Sequence, residues 1–427
     1  MKILDNGLNI VFNPIENSQT ISIGFFIKAG SRNEDDETSG IAHFLEHMMF
    51  KGTKNRSTDK LLNELDFIGA SYNAATTTQI TYYYVYGNSD DTKKLLDIVL
   101  DIYMNTVFED KEIKKEKQVV IEEMRLRSDN PIIKLYSAVH KKIFIGTSLA
   151  RDIIGNTQTL MNFNKKDLIN FRSSLYKPEN TVFVISGNFN SSPILKMIGP
   201  ILSELKNSEK LPHTYFHEQK IIFKNMSEQK EPYVSLEKNI SLQQVYALII
   251  FPIYDMYSYR NNEIDLISYL LSSGLSGRLS KALREKNGIT YSSNAYIVAY
   301  IDSGMYVIQI IVNPTSLDKA INIILTELKK LKKTYVTDEE MNKIINIAKN
   351  ETIFSLVSPL DMMAYLGINF IYDRNFNPDL KKKFSKLKKI TKEEIKDIAN
   401  EIFVKNKINI FLYGNTDKTK FDFSIFN

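Results

Sequence analysis

Two pairs of segments in this chain match each other at nearly the same separation. Val336–Met341 repeats the pattern of Phe108–Ile113 at an offset of 228 residues, and Ile410–Asn415 repeats that of Phe183–Asn188 at an offset of 227. A separation that holds over two distant anchors is typical of duplicated domains. The length of 427 residues is also more than one hydrophobic core usually organises. The sequence therefore predicts two copies of one α+β domain.

A polar, lysine-rich stretch with a proline at its end separates the two repeats. We place this linker at residues 209–232, the first domain at 1–208 and the second at 233–427. Each domain is expected to contain strands rich in β-branched and aromatic residues, followed by long helices such as 110–129 and 261–272.

Composition excludes several classes of protein. The net charge of +5 is a mild excess spread along the chain, which gives no case for nucleic acid and little for a membrane surface. The absence of cysteine excludes disulfides and thiolate metal sites. No apolar run approaches the ~18 residues that span a bilayer, and the N-terminus has no apolar signal core. We therefore expect a cytoplasmic protein.

The chemistry concentrates in the pattern H-x-x-E-H of residues 43–47. Residues four apart on a helix share a face, so His43 and His47 can bind one metal ion. Glu46 stands beside them and can take a proton from zinc-bound water. Residues 35–38, which are acidic or threonine, are expected to cap this helix. The alternative is an amphipathic helix whose imidazoles are only half-buried.

A catalytic zinc needs a third protein ligand, and the acidic helix after Val107 offers candidates. Glu116 and Glu123 are two turns apart and share one face. Glu122 competes with them but faces about 100 degrees away from Glu123. Glu123 lies among apolar residues, where a carboxylate needs a metal or a charged partner.

These residues resemble the M16 (pitrilysin, or inverzincin) metallopeptidase family, in particular its short two-domain branch with the mitochondrial processing peptidase beta subunit and bacterial homologues. The resemblance rests on residues 43–47, on the following Phe50–Thr53, and on the Glu116 to Glu123 helix. The loop Gly146–Gly155 also matches the family pattern. The implied fold is two homologous domains, each a mainly antiparallel β-sheet packed with helices.

The resemblance also implies a site. It assigns zinc ligation to His43, His47 and Glu123, the role of general base to Glu46, and an accessory role to Glu116. The third ligand follows His47 by 76 residues, close to the family spacing. The second repeat, residues 233–427, contains no histidine, so one Zn²⁺ per chain is expected.

The expected ligand of the site is a peptide. By resemblance, the strand formed by Asn73, Ala74, Ala75 and Thr76 is an edge to which a substrate can add as a further strand. The alternative is a plain interior strand.

In the second domain, Arg284 and Tyr291 match a family segment that reaches towards substrate. The alternative is an ordinary helix end stopped by Gly288. If the pair serves the zinc site of another subunit, the protein acts as a homodimer, or as a heterodimer with a related chain.

The function that follows is a zinc-dependent endopeptidase acting on peptides or unfolded segments, with Glu46 as its base. One alternative is a non-catalytic or assisting subunit of a peptidase heterodimer. Another is a peptide-binding clamp with a structural metal, but a structural zinc usually has four protein ligands, and only three are evident.

Overall fold

The chain folds into two compact units, and each is built on one mixed β-sheet. The computed structural model describes residues 1–207 and 228–426, with the backbone alone at Tyr291. The predicted linker at 209–232 lies largely outside the described residues. The domain limits at 208 and 233 therefore stay a prediction.

The first sheet has six strands in the order β1-β2-β6-β3-β5-β4. Its strands are β1 (Lys2–Ile3), β2 (Asn9–Pro14), β3 (Thr20–Ile27), β4 (Ser71–Thr76), β5 (Thr81–Asn88) and β6 (Thr181–Gly187). Strands β3 and β6 are long apolar runs because helices or loops cover both of their faces. Strand β4 pairs only with β5 and so forms one edge of the described sheet.

The second sheet repeats this topology. Its strands are β7 (Tyr233–Lys238), β8 (Val245–Ile253), β9 (Thr290–Ala299), β10 (Gly304–Val312) and β11 (Asn409–Gly414), in the order β7-β11-β8-β10-β9. In each sheet one pair is parallel, β2 with β6 and β7 with β11, and the remaining pairs are antiparallel. The matching order confirms the predicted fold of two related, mainly antiparallel α+β domains.

The helices alternate with these strands as the sequence predicts. In residues 1–207 they are α1 (Ile41–Met48), α2 (Thr58–Phe67), α3 (Thr92–Asn105), α4 (Asp110–Asp129), α5 (Pro131–Ile143), α6 (Thr157–Asn162), α7 (Lys165–Leu175) and α8 (Ser191–Ser203). In residues 228–426 they are α9 (Asn261–Ser272), α10 (Leu317–Lys333), α11 (Asp338–Phe354), α12 (Pro359–Tyr372), α13 (Leu380–Leu387) and α14 (Lys392–Ile402).

The two repeats exchange one helix each, which the sequence did not indicate. The segment Arg127–Ala150, with α5, belongs to the unit of the second sheet, and Phe354–Pro378, with α12, belongs to that of the first. Leu135 and Val139 of α5 pack in one buried cluster with residues of β8, β10 and β11.

Helix α12 makes the corresponding contact in the first unit. Met363, Leu366 and Phe370 pack against apolar side chains of β2, β3 and β6. A Cβ atom on Gly367 would lie 2.3 Å from the ring of Phe26, so this helix approaches its sheet closely because the residue is glycine.

Within the part of the chain that the structure describes, no single helix is long and apolar enough to cross a membrane. The bent pair α11 and α12 meets that test of length and composition together. In α12 the apolar side is packed against the first sheet.

Candidate metal centre

Helix α1 carries the H-x-x-E-H pattern and is fixed by its apolar side. Ile41, Phe44, Leu45 and Met48 are buried in the core of the first unit. The helix packs against β4, β5 and α7. Because residues four apart share a face, this packing turns both imidazoles the same way, and their ring centroids lie 4.7 Å apart.

The third partner comes from α4. Oε1 of Glu123 lies 3.6 Å from Nε2 of His43, and Oε2 lies 3.4 Å from Nε2 of His47. One ligand atom from each of the three residues fits within 4.8 Å of the others. Within the described residues this is the one group of its kind that the fold assembles.

The donor set fits a zinc ion. Tetrahedral bonds of about 2.0–2.1 Å place neighbouring ligand atoms about 3.3 Å apart, close to both separations above. Two imidazoles and one carboxylate are a known catalytic combination, which leaves a fourth position for water or substrate. The side chain of Glu123 keeps a third of its surface exposed, so the site has an open side.

Glu116 is the buried carboxylate of α4, whereas the sequence pointed to Glu123 as the better candidate for burial. Oε1 of Glu116 lies 2.9 Å from Nδ1 of His47, and Oε2 lies 2.6 Å from Nζ of Lys51. A carboxylate behind a ligating histidine orients the ring and raises its basicity. The competitor Glu122 is exposed and pairs with Arg125 on the surface.

These contacts shift the proton affinities of the group. Burial alone would lower the pKa of His47, but hydrogen bonds with Glu116 and Glu123 and the charge of Glu46 raise it to about 9. Hydrogen bonds with His43 and His47 hold the pKa of Glu123 well below its usual range. A proton on His47 and a metal ion therefore compete for one position.

The carboxylate of Glu46 is held from the edge strand. The hydroxyl of Thr76 donates a hydrogen bond to Oε2 of Glu46 over 2.5 Å. Thr76 is the last residue of β4, so the strand expected to hold substrate also orients the expected base.

A cavity of about 320 Å³ opens beside the centre. It is lined by Glu46, His47, Phe50, Lys51, Leu62, Tyr72, Asn73, Ala74 and Glu116. The rings of Phe50 and Tyr72 lie 5.3 Å apart in its wall. Asn73 and Ala74 belong to the edge strand, with Ala75 and Thr76 following, so the alternative of an interior strand does not hold.

Arg284 and Tyr291 lie in the second unit, and their roles stay predictions. Arg284 is in a π-helical turn, Ser280–Glu285, with its Nε 3.7 Å from the carboxylate of Glu285. Tyr291 is the second residue of β9, and its side chain lies outside the described residues.

Sequence reasoning missed three contributors. Lys51 was quoted as part of a motif, but its ion pair with Glu116 was not foreseen. Thr76 was assigned to the substrate strand, not to Glu46. Capping of α1 was expected from residues 35–38, whereas the carboxylate of Glu34 accepts hydrogen bonds at the start of the helix. The spacing of Lys51, four residues after His47, was an available signal for the first.

Two family models match the chain. Residues 10–157 match the model described as Insulinase (Peptidase family M16), and residues 162–348 match the Peptidase M16 inactive domain. The first match contains His43, Glu46, His47, Glu116 and Glu123.

Similar proteins cover nearly the whole chain. An uncharacterized zinc protease of Rickettsia bellii (strain RML369-C) is 30% identical over 386 residues, 88% of each chain. The mitochondrial-processing peptidase subunit beta of Bos taurus is 28% identical, covering 83% of this chain and 71% of the relative. A crystal structure of a protease from Helicobacter pylori has a TM-score of 0.86 at 25% identity and covers 97% of this chain and 98% of that chain.

Proposed function

Because the chain belongs to peptidase family M16, we propose that it is a zinc-dependent endopeptidase acting on peptides or unfolded segments of proteins. The observation that carries this proposal is the meeting of His43, His47 and Glu123 from two helices, with Glu46 beside them at the cavity. Zinc protease relatives support the choice of metal.

His43, His47 and Glu123 would hold the ion. When bound, zinc supplies a Lewis acid that polarises the scissile carbonyl and lowers the pKa of water. The carboxylate of Glu116 fixes the ring of His47 through Nδ1, which leaves Nε2 directed at Glu123. Lys51 balances the charge of that buried carboxylate.

Glu46 is the proposed general base. Its carboxylate takes the proton from the attacking water and delivers it to the amide nitrogen as the peptide bond breaks. The Thr76 hydroxyl keeps one carboxylate oxygen in place, so the other is available for proton transfer.

The edge strand β4 gives the substrate its place. An extended peptide can pair with the free backbone groups of Asn73, Ala74, Ala75 and Thr76, next to Glu46. Pairing through the main chain requires an extended segment, so we expect peptides and unfolded segments as substrates. The neighbouring wall of Phe50 and Tyr72 would contact one side chain of the peptide.

The test is hydrolysis of a quenched fluorescent peptide library, with zinc content measured on the same sample. We expect about one zinc per chain and cleavage that is lost on chelation and in Glu46→Gln. Glu122→Gln is the matched control, since Glu122 is an exposed glutamate on α4 that faces away from the centre. A folded, zinc-loaded protein without hydrolysis would contradict the proposal.

A second candidate is an assisting subunit, because one relative is itself named as a subunit of a processing peptidase. This role requires that hydrolysis appear only when a partner chain is added. Hydrolysis by the purified chain alone would exclude it.

We further propose a homodimer in which Arg284 and Tyr291 of one subunit serve the zinc centre of the other. Mixed Tyr291→Phe and Glu46→Gln subunits should then regain activity through hybrid dimers. Failure to recover in a mixture shown to exchange subunits would count against this arrangement. The cytoplasmic location stays a prediction.

A further inference from the structure

The start of helix α1 is held by a carboxylate from outside the helix. Oε2 of Glu34 accepts the N–H of Gly40 over 2.8 Å, and Oε1 accepts the N–H of Ala42 over 2.9 Å. The N-cap residue is Gly40, which has no side chain to do this. Glu34 is 6% exposed, so these two bonds are shielded from water. Glu34 thus replaces a capping residue from six positions upstream.

A second segment fixes Glu34 itself. Nη1 of Arg151 donates to the main-chain oxygen of Glu34 over 2.9 Å, and its Nε and Nη2 contact Oδ1 of Asp36. Arg151 belongs to the loop that resembles the family pattern, a motif to which the proposed reaction gives no role.

The same loop also touches the helix entry directly. Gly40 has a φ of +94°, and a Cβ atom there would lie 2.7 Å from the main-chain oxygen of Ile154. One on Gly155 would lie 2.4 Å from the oxygen of Ser39, which accepts the hydroxyl of Thr159 over 2.6 Å. Such close contacts leave the entry of α1 little freedom.

The geometry assigns to Glu34 a positioning role for the metal centre. Helix α1 is eight residues long, and His43 lies in its first turn, where helices fray. With the N–H groups of Gly40 and Ala42 tied to one carboxylate, the first turn holds its dihedral angles and His43 stays aligned with His47. Arg151 sets the main chain from which Glu34 reaches.

This inference rests on the proposed zinc centre but is separable from peptidase activity. A merely structural cap would lower the stability of the metal-free protein and leave the metal affinity of the folded protein unchanged. A positioning role changes the metal affinity and the ligand field of the folded protein.

The experiment measures zinc affinity by competition with a chromogenic chelator for wild type, Glu34→Gln and Glu37→Gln. The amide nitrogen of glutamine cannot accept a hydrogen bond, so one of the two N–H groups loses its partner. We expect Glu34→Gln to weaken zinc binding about 10–100-fold, the range for supporting groups around metal ligands. Glu37 is exposed in the same loop, and its variant should stay within twofold of wild type.

The visible spectrum of the cobalt-substituted protein provides a second readout, and Glu34→Gln should change its absorption bands while Glu37→Gln does not. If Glu34→Gln does not fold, Arg151→Ala decides. Its side chain is partly exposed and its loss leaves the carboxylate in place. This variant should weaken zinc binding to a smaller extent than Glu34→Gln and also change the spectrum.

The outcomes separate the two proposals. Equal zinc affinity and equal cobalt spectra, with only a lower Tm of the metal-free variant, would overturn the positioning role alone. Zinc binding without hydrolysis in the wild type would overturn the peptidase and leave the positioning role to the affinity data. A folded wild type that binds no zinc would overturn both.

Discussion

The two units place the same two helices beside the same strands, yet only one assembles a metal centre. Helix α1 follows β3 and helix α9 follows β8, the corresponding strands of the two sheets. Glu351 on α11 lies 228 residues after Glu123, the offset of the repeat. On α9, Asp265 and Tyr269 are four apart, as the histidines are on α1.

The charges of the two groups differ in sign of effect. In the first unit the imidazoles keep the pKa of Glu123 low. In the second, burial and the charges of Asp265 and Glu351 raise the pKa of Tyr269 to about 12. The duplicated scaffold therefore does not determine metal binding, which depends on the identity of three side chains.

The largest expected effect is on the third ligand and its counterpart. Glu123→Gln should reduce the zinc content from about one per chain to near zero and abolish hydrolysis, because two histidines alone do not complete the donor set. Glu351→Gln should change neither. The measurement is elemental analysis with a peptide assay; loss of zinc in both variants would refute the comparison.

The next effect is on the group behind His47. Glu116→Ala should weaken zinc binding about 10–100-fold, because the ring of His47 loses its acceptor. The repeat offset puts buried Ile344 at the corresponding place in α11, so the fold accepts a residue there without charge. Chelator competition measures the affinity, and Glu122→Ala is the control. An unchanged affinity would assign Glu116 a purely structural role.

The proton on His47 predicts a pH dependence. Its ordinary pKa of 6.5 is raised to about 9 in the folded, metal-free protein. Zinc binding at pH 7 should release about one proton, and the apparent affinity should rise up to about tenfold per pH unit until about pH 9. Calorimetry in buffers of different ionisation enthalpy measures the release.

The same shift has a consequence for stability, with a definite sign. A raised pKa stabilises the metal-free protein fully below about pH 6.5, and this contribution is lost as the pH rises through about 9. Tyr269→Phe is the control, because Tyr269 does not ionise in that window. A Tm of the metal-free protein that does not depend on His47 between these values would contradict the assignment.

The smallest effect concerns the exchanged helices. Gly367→Ala should lower the free energy of unfolding by about 1–3 kcal/mol, because the added methyl overlaps the ring of Phe26. The corresponding residue of α5 is Val139, which is fully buried, so only α12 requires a glycine. Ile368→Ala, at a partly exposed neighbour, should cost less. Thermal unfolding monitors both, and equal Tm values would show that α12 can move away from the sheet.

Much of this could be predicted because it is local or periodic. Helix α9 was expected at residues 261–272 and begins and ends there, since its apolar residues recur with the helical period. The two histidines and Glu123 meet because helical spacing and a family likeness each predict it.

The remainder depends on contacts without a sequence period. Glu34 reaches the start of α1 through a loop whose path depends on Arg151. The burial of Glu116 depends on Lys51 from another element. The exchange of α5 and α12 leaves the repeat offset unchanged, because an offset compares segments and does not indicate which sheet each helix covers.

The exchange has a consequence during synthesis. The apolar face formed by Val11, Phe26, Val182 and Val184 is covered by α12, which a ribosome makes nearly two hundred residues after β6. Until then the nascent first repeat exposes that face and cannot complete its unit. We therefore expect the zinc-binding half to mature only late in translation, although all of its metal ligands are made first.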